Sequence, residues 1–143
     1  MTDRKLALAA WESLFRAQHE LFGEMASDFT DAPLAQGEYD VLLTVTRAPE
    51  MTARLRDITT NMLISQPSVS RLIDRMVTSG LVAKRPDPQD GRGSLITATE
   101  QGARAFRSIA TVHGRNIAER MSRLDEDEQR ALLRLTEKLR GRD

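Results

Sequence analysis

Residues 65–99 read SQPSVSRLIDRMVTSGLVAKRPDPQDGRGSLITAT, and the order of features in this stretch decides the fold. Val69, Leu72, Ile73, Met76 and Val77 fall at i, i+3, i+4, i+7 and i+8, the apolar stripe of a short amphipathic helix. Ser68, Ser70, Arg71, Asp74, Arg75 and Thr78 then take the opposite face. The reading places Ser65 as N-cap, its hydroxyl accepting a first-turn amide. Pro67 fits that first turn because its missing N–H needs no partner there. Gly80 stands where a left-handed residue closes the helix. Residues 81–85 and 94–97 are long enough for two hairpin strands, and residues 86–93 between them are dense in turn formers. Lys84 and Arg85 charge the first strand, and Arg92 is expected at the tip. A helix with a small polar first turn followed by a cationic hairpin is the order of a recognition helix and a β-wing, which seat in the major and minor grooves of DNA.

These residues resemble the MarR family of winged helix-turn-helix transcription regulators. The matching pieces are Ser65 with Val69-Ser70-Arg71-Leu72-Ile73-Asp74-Arg75-Met76, then Gly80-Leu81-Val82, Arg85-Pro86-Asp87-Pro88, Asp90-Gly91-Arg92, and the Thr-x-x-Gly of Thr99 and Gly102. The Asp-x-Arg wing followed by Thr-x-x-Gly is the more specific part. The resemblance implies a DNA-binding homodimer and control by a small ligand. Two positions depart from the family pattern. Arg56 stands where a hydroxyl commonly caps the third helix, and Ala35 stands near another such cap.

The rest of the chain reads as helical. Trp11, Leu14, Phe15, Phe22, Met25 and Phe29 follow a helical stripe, on or near which His19 is expected, and a first helix is expected over residues 3–28. A second helix is expected over residues 36–48, a short strand over 52–55 and a third helix over 56–62. A fifth helix capped by Thr99 should run over 100–123. Asp125 with Glu128 three residues on makes a capping-box start for a terminal helix carrying Leu132, Leu135 and Leu139. The expected fold is therefore mainly α with a small β-wing (α+β): a winged helix-turn-helix with six helices in one domain over residues 1–143. Residues 35–99 form its DNA-binding part, and residues 1–34 and 100–143 form the N- and C-terminal helices of a dimer interface. A single recognition helix reads too few bases for useful specificity. A two-fold pair places two of them about 34 Å apart on a pseudo-palindromic duplex.

The 143 residues carry 21 basic and 21 acidic side chains, so the net charge is zero, but its distribution is uneven. Residues 1–52 hold four bases against nine acids, whereas residues 53–92 hold seven against four. With a Debye length of about 8 Å at physiological salt, distant acids do not cancel a local basic face. The chain has no cysteine, which removes disulfides, thiolate metal sites and thiol oxidation. No apolar run is long enough to span a membrane, and the first residues lack a signal-peptide pattern, so the expected location is the cytoplasm, at the nucleoid when DNA is bound. His19 and His113 stand apart and form no metal-ligand spacing, and neither a nucleophile elbow nor a phosphate loop is present. No enzyme, cofactor or metal is expected.

Individual roles follow. Gln66 has the groups for a bidentate pair with adenine. Pro67 belongs to the same first turn. Ser68 and Ser70 suit bases or phosphates. Arg71 suits guanine or a phosphate, and Arg75 and Arg85 suit the backbone. Arg92 is the minor-groove candidate, and Asp90 is expected to orient Arg92 or close the turn. In the family, small aromatic or phenolic anions lodge between the dimerisation helices and the winged helix. Trp11, Arg16 and His19 lie on the helix that would line such a crevice, with core packing as the plainer role of Trp11. The competing function is a winged-helix protein-interaction module without DNA binding. Basic residues on helix and wing argue against it, because a protein-docking face is more often apolar or acidic there.

Overall fold

The structure, a computed structural model, describes residues 3–142. The expected terminal segments include residues 1, 2 and 143, which lie outside the described residues. The element order is α1 (Arg4–Met25), α2 (Gln36–Arg47), β1 (Thr52–Arg54), α3 (Leu55–Asn61), α4 (Val69–Thr78), β2 (Val82–Asp87), β3 (Asp90–Ala98), α5 (Glu100–Met121) and α6 (Glu126–Leu139). The strands form one antiparallel sheet in the order β1-β3-β2. This is the expected winged helix-turn-helix with six helices and a small sheet.

Local chemistry starts and stops most elements. Asp3 caps α1 by accepting from the N–H groups of Lys5 and Leu6. At α2, Ala35 has no side-chain acceptor, but its own N–H donates to Glu38 Oε1 at 2.7 Å, the half of a capping box that needs no hydroxyl. Asp125 and Glu128 complete the full box at α6. Helix α4 closes with Gly80 at φ 79°, the Gly80 N–H on the Val77 carbonyl and the Leu81 N–H on the Met76 carbonyl. This Schellman motif turns the chain directly into β2.

The Thr-x-x-Gly signature has a packing explanation. Thr99 Oγ1 accepts from the Gly102 N–H at 3.0 Å, and it lies 2.6 Å from the Gly80 carbonyl and 3.0 Å from that of Leu81. A Cβ on Gly102 would stand 2.0 Å from the Leu81 carbonyl oxygen. The pair docks the start of α5 against the backbone that leaves the recognition helix.

The core lies under the winged helix, and Ile109 of α5 joins it. Leu34, Val41, Leu42, Val45, Ile58, Ile73, Met76 and Ile96 are almost completely buried there, drawn from α2, α3, α4, the sheet and the loop before α2. Neither α1 nor α6 buries a single residue. The 3-10 turn Ala26–Phe29 that follows α1 is nevertheless pinned to α5: Asp28 Oδ2 lies 2.7 Å from His113 Nδ1, and Asn116 Nδ2 donates to Asp28 Oδ1 at 2.7 Å. His113 packs edge-on to Phe29 and Tyr39, and Tyr39 stacks on Phe106.

Several expectations are corrected. The N-cap of α4 is Ser68, not Ser65, with its Oγ accepting from the Arg71 N–H at 3.2 Å. Proline disfavours helical backbone at the residue before it, so Gln66 cannot enter a helix ahead of Pro67. The buried carboxylate of Asp40 also takes the N–H groups of Leu63 and Ile64 at 2.8 and 3.0 Å and anchors the turn before the cap. The wing strands run further than expected, leaving only Pro88 and Gln89 between them. Pro86 sits inside β2, where an edge strand tolerates a missing N–H, and a register irregularity follows it. His19 is exposed on α1 instead of joining a core stripe, and Val77 is only partly covered, at 39% exposure.

Candidate nucleic-acid interface

Helix α4 presents Ser70, Arg71, Asp74, Arg75 and Thr78 to solvent, while Leu72, Ile73 and Met76 face the core. The predicted polar face therefore exists, one turn shorter than expected. Lys84 of β2 reaches Asp74 at 3.0 Å, which neutralises the acid on this face and ties the wing to the helix. Arg71, Arg75, Arg85 and Arg92 form no ion pair among the described residues. All four are exposed, so their charge is available to an anionic partner.

Ser68 is occupied as the cap of α4. Gln66 and Pro67 precede the helix, and the Gln66 side chain is half-buried: its Nε2 would stand 2.7 Å from a Cβ on Gly37 of α2. The structure thus sets Gln66 against α2 rather than on the exposed face of α4 with Arg71 and Arg75. Asp90 Oδ1 accepts from the Arg92 backbone N–H at 3.1 Å, the turn-closing of its two expected roles. Arg92 itself stands on β3, just past the tip, in a groove of about 470 Å3 between the wing and α3. Arg54 and Arg56 line the same groove. Both count toward the basic middle of the chain without standing among the expected contact residues, and the N-cap of α3 is Arg54, not Arg56. The signal for both was plain cationic charge flanking a short helix.

A separate crevice of about 880 Å3 lies between the terminal helices and the winged helix. Leu14, Leu21, Phe22 and Met25 of α1 line it, facing Leu132 and Leu133 of α6, with Leu63, Ile64, Gln36 and His113 at the winged-helix side. Trp11, Arg16 and His19 do not line it and are exposed elsewhere on α1. The side of α1 that faces the crevice is Leu14-Ala17-Gln18-Leu21, one step around the helix from the residues expected.

The sequence model of the MarR family matches residues 27–93. The HTH-type transcriptional regulator YkoM of Bacillus subtilis (strain 168) is 31% identical over 102 residues, which span 71% of this chain and 64% of YkoM. The chain is similar to the MarR family of regulators. Two crystal structures of MarR family regulators from Streptomyces coelicolor share its fold. Sco3205 in complex with DNA superposes with a TM-score of 0.82 at 20% identity, over 97% of this chain and 88% of that one. PcaV in complex with its natural ligand superposes with a TM-score of 0.75 at 23% identity, over 99% and 98%. The likeness thus covers the winged-helix segment by family model and nearly the whole chain in fold alone. Among the described residues, no helix is long and apolar enough to cross a membrane, and no group of three or more His, Asp or Glu is placed to hold a metal.

Proposed function

We propose that this chain is a sequence-specific double-stranded-DNA-binding transcription regulator, a repressor, that acts as a homodimer on a pseudo-palindromic operator and is released by a small aromatic acid. The observation that carries the DNA reading is the set of unpaired arginines on α4 and the wing, Arg71, Arg75, Arg85 and Arg92, beside a neutralised Asp74. Arg71 and Arg75 are offered to the major groove and its phosphates, and Ser70 to a base edge or phosphate. Gln66, Pro67 and Ser68 shape the turn before the helix. Arg85 meets the backbone, and Arg92 enters the flanking minor groove, held by the turn that Asp90 closes.

The homodimer reading rests on apolar surface. Among the described residues, twelve of the fifteen large hydrophobic side chains that are exposed belong to α1, α5 and α6, including Leu6, Leu8, Trp11, Phe15, Ile117 and Leu139. Three helices that leave this much greasy surface in water need a covering, and a second copy supplies a self-complementary one. The effector reading rests on the crevice, whose apolar walls and few polar groups suit an aromatic ring.

A gel-shift titration against the DNA upstream of the chain's own gene, run at two salt concentrations, tests the reading. Wild type should bind more weakly at higher salt, with a discrete shift for one dimer, and Arg92→Ala should weaken binding by about tenfold or more. No shift at either salt concentration would reject DNA binding. A panel of aromatic acids added to the complex tests release, and a reporter behind the same DNA tests repression.

A further inference from the structure

The wing carries a side-chain clasp at its tip. The Nε of Arg54, the last residue of β1, lies 3.1 Å from Asp87 Oδ2, and its Nη2 donates to Gln89 Oε1 at 3.0 Å. Asp87 Oδ1 accepts from the Gln89 backbone N–H at 2.9 Å. One carboxylate thus closes the two-residue turn with one oxygen and grips a guanidinium from another strand with the other. Asp87 is 5% exposed, although it follows four exposed residues of β2, and Arg54 packs directly against it. The strand order makes the clasp consequential. β1 and β2 lie on opposite sides of β3, so Arg54 reaches across the sheet to the far strand and the tip. Lys84 ties the wing to α4 through Asp74, and the clasp adds a second tie, from the tip to β1.

We infer that Arg54 is a positioning residue: it braces the wing through Asp87 and Gln89, and so fixes Arg92 relative to Arg56 across the groove, without itself contacting DNA. This rests on the DNA-binding reading above. Arg54 differs from Arg56 and Arg92 in one respect that decides its role. Its charge is already matched by a buried carboxylate, while the other two line the same groove with no ion pair among the described residues. Thr59 and Thr60 of the same groove donate their hydroxyl protons to the carbonyls of Leu55 and Arg56, so they offer no donor to a phosphate. Anion contact in the groove therefore falls to Arg56 and Arg92. Without the brace, ordering the wing would be charged to each binding event, and preorganisation would be lost.

The test is the double variant Arg54→Met with Asp87→Asn. It keeps the net charge, and the Asn oxygen still accepts the Gln89 N–H, so only the clasp is removed. Affinity for the upstream duplex should fall about three- to tenfold per wing. The slope of log K against log salt should stay at the wild-type value, and backbone amides over residues 86–92 should exchange faster. An affinity equal to wild type overturns the inference. So does a slope reduced by about 0.9 or more per protomer, which would make Arg54 itself a phosphate contact. If wild type binds no duplex in a salt-dependent way, the DNA-binding reading falls first and this inference with it. Should the double variant fail to fold, the exposed Gln89→Ala decides by the same two measurements at smaller amplitude.

Discussion

Gly102 shows how one missing atom is put to use. A glycine near the start of an exposed helix would gain from replacement by alanine, by roughly 1 kcal/mol of helix propensity. At this position the new Cβ would stand 2.0 Å from the Leu81 carbonyl oxygen, against backbone rather than a side chain that can swing aside. Gly102→Ala should therefore destabilise the protein by about 1–3 kcal/mol or more, read as a lower urea midpoint with unchanged slope. The residue was legible in the sequence as part of a signature, but its reason was not, because a close approach of two backbones leaves no mark in periodicity. Gln66 is the opposite case. Its amide suits adenine on chemical grounds, yet its side chain is turned toward Gly37 of α2, a contact between residues 29 positions apart that no local pattern reports.

At the scale of elements, the turn between α3 and α4 hangs on Asp40. Its Oδ2 holds the Leu63 and Ile64 N–H groups, and its Oδ1 is buried without a partner. Burial raises its carboxyl above the usual value of 3.8, against the opposing pull of the two backbone hydrogen bonds. The sign follows: between 3.8 and the raised value the folded state binds more protons than the unfolded chain, so stability falls as pH rises through that window. Wild type measured against Asp40→Asn should lose relative stability on going from about pH 3.5 to pH 7, a slope that the neutral variant lacks. Asp40→Ala should cost about 1–3 kcal/mol at any pH in that range, because two buried N–H groups lose their acceptor. Urea titrations at the two pH values check both. Helix α4 and the wing were legible as types, from the apolar stripe and the turn formers. Their boundaries were misplaced because Pro67 sets the helix start through the residue before it, and because Pro86 is admissible in an edge strand.

For the whole molecule, the division of the chain into a cored part and a coreless part decides behaviour. Among the described residues, 34–109 contain every buried hydrophobic side chain, and α1 and α6 contain none. Charge placed on α1 should therefore spare the fold of the protomer and attack only what covers it. Trp11→Glu together with Phe15→Glu, residues whose rings stack at 4.5 Å on the outside of α1, should leave the helical circular dichroism near wild type and convert a dimer to a monomer in sedimentation. Operator affinity should fall with it, since half-sites are then bound singly. A variant that remains dimeric would place the self-contact elsewhere. The amphipathic pattern of the terminal helices was readable from the sequence. Which flank of α1 turns toward the crevice was not, since a broad apolar face offers Leu14 and Trp11 as near equals and only tertiary packing separates them.

The crevice borders the turn that leads into α4. Leu63 and Ile64 border that cleft, both are suspended from a single carboxylate, and Ser68, which launches α4, follows four positions later. A guest wedged into the cleft would push directly on the hinge of the reading head. No relay through distant side chains is needed for such a guest to be felt at the DNA, and the lever arm is one short peptide segment.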